Sequence, residues 1–281
     1  DPLIIQPIDY LTAEEKRAKL LQKLKADFQV ASDSLGYAGD DGIHVFVDCS
    51  NIIIGFYNEL KIKRGHNIRA YIKQAPMSWH SLALILERGR PVARRILVGS
   101  NGSPADGRSP RLPAYMLEAE RCGYELNILE RVLKHKEPTP PKKKSRGTGN
   151  GYATASGHSS GSDGTFLSTK VVAEQGVDEI LQMKLLESLV DTRQPSTIVL
   201  ASGDAAEAEY SGGFLKNVER ALSKGWKVEL VAWGTGLSHE YLSREFLRRW
   251  IGRFEIILLD DFSEELLALY TFPVRSELGR K

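Results

Sequence analysis

The stretch Ile43 to Phe56, IHVFVDCSNIIIGF, constrains the chain most. Ile43 to Val47 have the short, mostly β-branched and aromatic character of a buried strand, and the run stops at Asp48, followed by Cys49, Ser50 and Asn51. A strand that ends on a carboxylate delivers it to the edge of a sheet. In an open α/β sheet ligands bind beyond the carboxyl ends of the strands, so an Asp there faces a crevice and not the core. The plainer alternative is that Asp48 only caps the segment that follows.

The rest of the chain alternates in kind. Arg94 to Gly99, Glu125 to Val132, Thr197 to Ala201, Lys227 to Trp233 and Phe254 to Leu259 read as further strands. Met77 to Arg88 with Ser78 as its cap, Ala114 to Cys122, Gly213 to Leu222 and Ser238 to Trp250 read as helices. So does GVDEILQMKLLESLV, with Ile180, Met183, Leu186 and Val190 as its apolar stripe. Ile52 to Leu60 reads as an apolar continuation carried onto the sheet. Such alternation predicts an α/β three-layer sandwich with a mainly parallel sheet of five or six strands, because parallel neighbours need crossovers and the crossovers cover both faces. The sandwich takes 43–262. Thr12-x-x-Glu15 is a capping box that opens a helix to about Val30 in an N-terminal arm, 1–42, and 263–281 form a C-terminal tail.

One segment breaks the alternation. From about 134 to 170 the chain carries EPTPPKKKSRGTGNGY and then mainly Ser, Gly and Thr, too long and too polar for a packed domain, and it reads as a disordered basic insert. Lys142, Lys143, Lys144 and Arg146 make it a flexible cationic partner for a polyanion. Its GTGNG lacks the preceding strand and the spacing of a nucleotide fingerprint. The net charge over 281 residues is only +2, so the distribution of charge carries the information: Lys61 to Arg69, Arg88 to Arg95 and Arg244 to Arg253 are the other basic runs, the last read as the outer face of a helix. With 42% hydrophobic residues a sizeable core is available, yet no run is long enough to span a membrane. Trp226, Trp233 and Trp250 belong to that core. Cys49 and Cys122 have neither metal-ligand spacing nor the density of a disulfide framework, which favours a reducing, intracellular compartment, cytoplasmic or nuclear. An organelle stays open, since the chain begins at Asp1 and not at Met.

Three acids converge in type: Asp48 and Asp204 at strand ends and Asp178 at a helix start on the same edge. Carboxylates packed together repel, and one protonates unless a cation sits among them. Oxygen ligands without a His or Cys cluster suit Mg²⁺ or Mn²⁺, and hard cations held by a few carboxylates serve phosphoryl-ester chemistry.

The residues that carry these acids resemble a known family, the NYN domains, PIN-like nucleases that include the limkain-type proteins. VDCSNI (Val47 to Ile52) is similar to their V-D-x-S-N motif, QGVDE (Gln175 to Glu179) to their K-G-V-D and ASGDA (Ala201 to Ala205) to their S-G-D, in the same order. The resemblance covers about Ile43 to Leu259. It implies a PIN-like sandwich, a Mg²⁺ or Mn²⁺ cofactor held by Asp48, Asp178 and Asp204, hydrolysis of single-stranded RNA, and an Asn51 that orients Asp48. No membrane partner is expected, because no apolar run is long enough to span one, and the oligomeric state is left open.

The sequence also departs from that pattern. Many members of that family carry an acid about six positions after the central Asp and another two after the S-G-D Asp, where this chain has Lys184 and Ala206. Glu179, Glu207 and Glu209 are candidates to substitute, with Glu179 and Glu207 as catalytic acids; Glu207 and Glu209 equally suit a solvated helix start. The alternative function is therefore RNA binding or scaffolding on the same fold without catalysis. A metal-dependent adhesion site fails because Ile52 stands where a second Ser belongs, and a haloacid-type phosphatase fails because Ser50 stands where a second Asp belongs.

Overall fold

The computed structural model describes residues 2–33, 42–101, 112–136, 169–205 and 212–271. The chain runs α1 (Ala13–Asp33), β1 (Ile43–Asp48), α2 (Cys49–Lys63), α3 (Trp79–Glu87), β2 (Val92–Asn101), α4 (Ala114–Arg121) and β3 (Glu125–Glu130). It continues with β4 (Val132–Lys136), β5 (Thr169–Ala173), α5 (Val177–Asp191), β6 (Thr197–Ala201), α6 (Gly213–Ser223), β7 (Lys227–Ala232), α7 (Arg244–Arg249), β8 (Phe254–Leu258) and α8 (Ser263–Leu266). Six strands form one sheet in the order β3-β2-β1-β6-β7-β8, and every pairing in it is parallel. The sheet grows outward from β1 in both directions. Its topological switch point therefore lies between β1 and β6, where connections leave towards opposite faces, the place at which open sheets of this kind bind ligands.

Period-two alternation divides the core. Val45 and Val47 join Leu97, Val199, Ala201 and Val231 under α1, α2, α3, α4 and α8, while Phe46 joins Ile96, Val98, Ile198, Leu200 and Leu230 under α5, α6 and α7. All six residues of β1 are buried, as a central strand covered on both faces requires. Trp226, Trp233 and Trp250 all lie in this core.

The capping box forms as expected, with Glu15 accepting from the Thr12 N–H at 2.8 Å and Thr12 Oγ1 from the Glu15 N–H at 3.2 Å. The helix it opens is part of the sandwich. Leu20 and Leu24 are buried in the first core, and Lys16 Nζ donates to the Leu267 carbonyl at 2.7 Å, which also ties residues just past α8 into the same layer. Ile52 to Leu60, expected as an apolar continuation carried onto the sheet, is helix, because Asp48 caps it and its apolar residues repeat at helical spacing.

Three other expectations are corrected. On α5 the buried face is Leu181, Leu185, Ser188 and Leu189; of the expected stripe, Ile180 and Leu186 are half-buried against the same core while Met183 and Val190 are exposed, so the expected face is only partly the buried one. The sequence offers two apolar series at helical spacing, and packing on Phe214 and Val218 of α6 selects the second. The expected helix from Ser238 to Trp250 is a single turn at His239–Leu242 followed by α7; the Ser243 hydroxyl accepts from the Phe246 N–H at 3.2 Å and starts the helix afresh. The third strand stops at Glu130, and the ends of the expected insert are not structureless: β4 and β5 pair antiparallel from Val132↔Ala173 to Lys136↔Thr169. Lys142, Lys143, Lys144 and Arg146 lie outside the described residues.

Gly55 faces Trp233 across the first core so closely that a Cβ there would stand 2.1 Å from the indole. Trp233 cannot withdraw cheaply, since it is buried and its Nε1–H donates to the Ile52 carbonyl at 2.9 Å. Gly55→Ala should therefore lower stability by about 1–3 kcal/mol through overpacking, against the gain of up to about 1 kcal/mol that Ala brings to an unhindered helix. Urea denaturation of the two proteins reads the sign directly.

Candidate functional site at the carboxyl edge

Asp48 closes β1 and caps α2, so the capping and site readings of this residue describe one geometry. Its Oδ1 accepts from the Asn51 backbone N–H at 3.0 Å and its Oδ2 from the Ser202 hydroxyl at 3.2 Å. The Asn51 side chain does something other than orient Asp48: its Oδ1 accepts from the Gly203 N–H at 3.1 Å and so clips the turn after β6 onto the start of α2. Asp48 is therefore oriented by the Asn51 backbone on one oxygen and by the Ser202 hydroxyl on the other. Gly203 is demanded by crowding, because a Cβ there would lie 2.4 Å from the Gly236 carbonyl oxygen.

Asp204 follows in the same turn. Its N–H donates to Ser202 Oγ at 3.3 Å and its carbonyl accepts from the Tyr241 hydroxyl at 3.1 Å. Asp178 sits in the first turn of α5, where the positive end of the helix dipole favours an anion. The three sequence-predicted acids thus occupy one edge of the sheet, with Asp48 and the Asp204 turn on either side of the switch point.

A fourth acid, Glu174, was not anticipated. It follows β5 and accepts from the Ser50 hydroxyl at 2.7 Å, from the Ser100 hydroxyl and from Arg131 at 3.2 Å, while Arg131 also donates to Ser100 Oγ at 2.9 Å. Arg131 and Glu174 flank the β4–β5 hairpin and its long connection, so chain distance hid their contact. A weak signal existed, since Glu174 lies four positions ahead of Asp178 in the same short motif region.

The electrostatics of the cluster are those of acids that crowd one another. Burial pushes Asp48 up to about 7, and the negative charges of Asp178 and Glu174 add to that, outweighing the hydrogen bonds from Asn51 and Ser202 that favour its ionised form. Asp178 rises to about 6, from burial first and then from the charges of Asp204, Glu179 and Glu174. Glu179 thus acts electrostatically on Asp178. Lys184, one of the departures from the family pattern, pairs with Glu125 at 2.9 Å and Glu187 at 3.7 Å. Ala206, Glu207 and Glu209 lie outside the described residues. Cys49, next to Asp48, is buried and its thiol is pushed up to about 12, which removes thiolate chemistry from this edge.

The donor set consists of carboxylate and hydroxyl oxygens, which fits a hard divalent cation by chemical type. Among the described residues, however, no three His, Cys, Asp or Glu side chains are grouped closely enough to hold a metal ion between them. An ion here would keep waters in part of its shell, as Mg²⁺ commonly does. No protein-family model, curated protein or solved structure matches the chain. No described helix is long and apolar enough to cross a membrane.

The raised acids fix the sign of a pH effect in the metal-free protein. Between about pH 4 and pH 7 the folded state holds protons on Asp48 and Asp178 that the unfolded chain has released, so these groups stabilise the fold below that window and the contribution is lost as pH rises through it. Asp48→Asn should flatten this fall. Urea midpoints in EDTA at pH 5 and pH 8, wild type against Asp48→Asn, measure it; an equal fall in both proteins would assign the pH dependence to other groups.

Proposed function

We propose that this protein is a divalent-metal-dependent ribonuclease that hydrolyses single-stranded RNA at the acidic edge between β1 and β6. The observation that carries the reading is the convergence at the switch point of Asp48, Asp178 and Asp204, acids from distant parts of the chain that repel one another in the absence of a cation. The three short motifs holding these acids resemble those of NYN domains, which supplies RNA as the substrate class. Asp48, Asp178 and Asp204 would hold Mg²⁺ or Mn²⁺. Once bound, such an ion lowers the pKa of a coordinated water and stabilises charge on the phosphate.

The chain's own groups have separable tasks in this reading. Each Asp48 oxygen carries one hydrogen bond, which leaves each a further lone pair for a ligand. Ser202 is a positioning residue for Asp48, and Asn51 positions the Asp204 turn through Gly203. Glu174, held by two serines and Arg131, adds negative charge to the cluster, which strengthens its demand for a cation.

A second reading, RNA binding without hydrolysis on the same fold, is favoured by one observation: the acids are not grouped as a ready ligand set among the described residues. Cleavage of labelled single-stranded RNA in Mn²⁺ decides between the two. Hydrolysis predicts activity in wild type that EDTA removes, its abolition by Asp204→Asn, and a loss of roughly 10–100-fold in Ser202→Ala, the usual range for a residue that orients a metal ligand. Equal residual activity in wild type and Asp204→Asn would identify a contaminant and leave the binding reading.

A further inference from the structure

The basic run Arg244 to Arg253, which reads in sequence as the outer face of a helix, has a structural counterpart on α6. A cleft of about 430 Å³ between the two is lined by Lys216, Glu219, Arg220, Ser223, Lys224 and Arg249, four cationic side chains against one carboxylate. Lys216, Arg220 and Lys224 are all exposed, while Phe214, Val218, Ala221 and Leu222 bury the opposite face of the helix. The three cations recur every four residues, which at about 1.5 Å per residue sets them about 6 Å apart along the axis. That step is comparable with the separation of neighbouring phosphates along a nucleotide strand.

Arg220 and Arg249 of this set are held by neighbouring side chains. Arg220 Nη1 donates to Asn217 Oδ1 at 2.5 Å, and the buried Asn217 is itself fixed by donating to Gln182 Oε1 at 2.8 Å. Arg249 lies over the Trp250 ring, 4.9 Å from its centroid, and Arg253 lies 5.3 Å from the same ring while donating to the Leu222 carbonyl at the end of α6. Lys216 packs back over Gly212, where a Cβ would stand 2.5 Å from its Cδ. Glu219 offsets the row only partly, through an exposed 3.7 Å pair with Arg249 that contributes little in water.

We propose that this cleft is a track for the phosphate backbone of an RNA strand, read without regard to sequence; the assignment to RNA rests on the function proposed above. A single phosphate would engage one or two of these cations, whereas a row along a helix suits a polyanionic strand. The row also has the right starting point. β6 delivers the Asp204 turn to the carboxyl edge, and α6 returns from that edge towards the start of β7, so Lys216 marks the end of the track nearest the acids and Lys224 its far end.

The test is equilibrium binding of a labelled single-stranded RNA by the full chain in EDTA, which silences metal-dependent cleavage, over 50–200 mM salt. Wild type is compared with Lys216→Gln/Arg220→Gln/Lys224→Gln and with Arg17→Gln/Lys25→Gln on α1, in the opposite layer; melting temperatures verify that both variants are folded. The track predicts that the α6 variant loses up to about 2 from the slope of log affinity against log salt, at about 0.7 for each single-strand phosphate contact, and that the α1 variant keeps the wild-type slope. An unchanged slope in the α6 variant overturns the track and leaves RNA as substrate. No RNA binding by wild type overturns both, whereas the predicted loss of slope in a protein that fails to cleave supports the track and removes only hydrolysis. Capture by phosphatidylserine vesicles that the α6 variant loses, with RNA binding intact, would assign the row to a lipid surface and overturn the proposal.

Discussion

The parallel pairing of β1 with β6 is the contact on which the site depends. In register from His44↔Ile198 to Val47↔Ala201, it aligns two strands whose next residues are Asp48 and Ser202. Ser202 Oγ then reaches Asp48 Oδ2, and Asn51 reaches Gly203 from the other side. A slip of β1 by one residue would turn Phe46 into the wrong core and move Asp48 out of line with Ser202. Register here is held by burial on two faces, so the hydrophobic core that stabilises the sheet also aligns the acids.

The same placement has an energetic consequence. Desolvation and mutual repulsion raise Asp48 and Asp178, and Glu174 is tied to Arg131 while still adding to the negative potential that both feel. Groups held against their ionisation preference cluster at functional sites, because a ligand of opposite charge removes the penalty. Around the flank the charge changes sign, with the cationic row of α6 descending from that edge. Acid at the junction of β1 and β6 and base along α6 form the charge pattern on which the proposed RNA substrate rests.

Much of the fold was legible in the sequence. The positions of the six sheet strands, the capping box at Thr12 and the Ser78 cap follow from local chemistry: period, propensity and orphan N–H groups near one another in the chain. The α5 stripe is legible only in part, with Ile180 and Leu186 against the core but Met183 and Val190 exposed, because its run of apolar residues supports more than one face and packing with α6 selects among them. Of the site, Asp48, Asp178 and Asp204 were legible as carboxylates at element ends. Ser202 and Glu174 were not, since their significance comes from contacts with residues far off in sequence, and Arg131 reaches Glu174 only because the β4–β5 hairpin folds back on itself. Asn51 was legible as a partner of Asp48, which it meets through its backbone N–H, but the use of its side chain to hold Gly203 was not.

Melting in the presence and absence of Mn²⁺ tests most directly whether this edge is built for a cation. A ligand specific for the folded state stabilises by RT ln(1 + [L]/Kd), about 2.7 kcal/mol at a hundredfold excess over Kd, and here it also relieves repulsion among the acids. The wild-type melting temperature should therefore rise with Mn²⁺ relative to EDTA, and that increment should vanish in Asp48→Asn. An equal increment in the two proteins, or none in either, would contradict a cation site at the junction of β1 and β6.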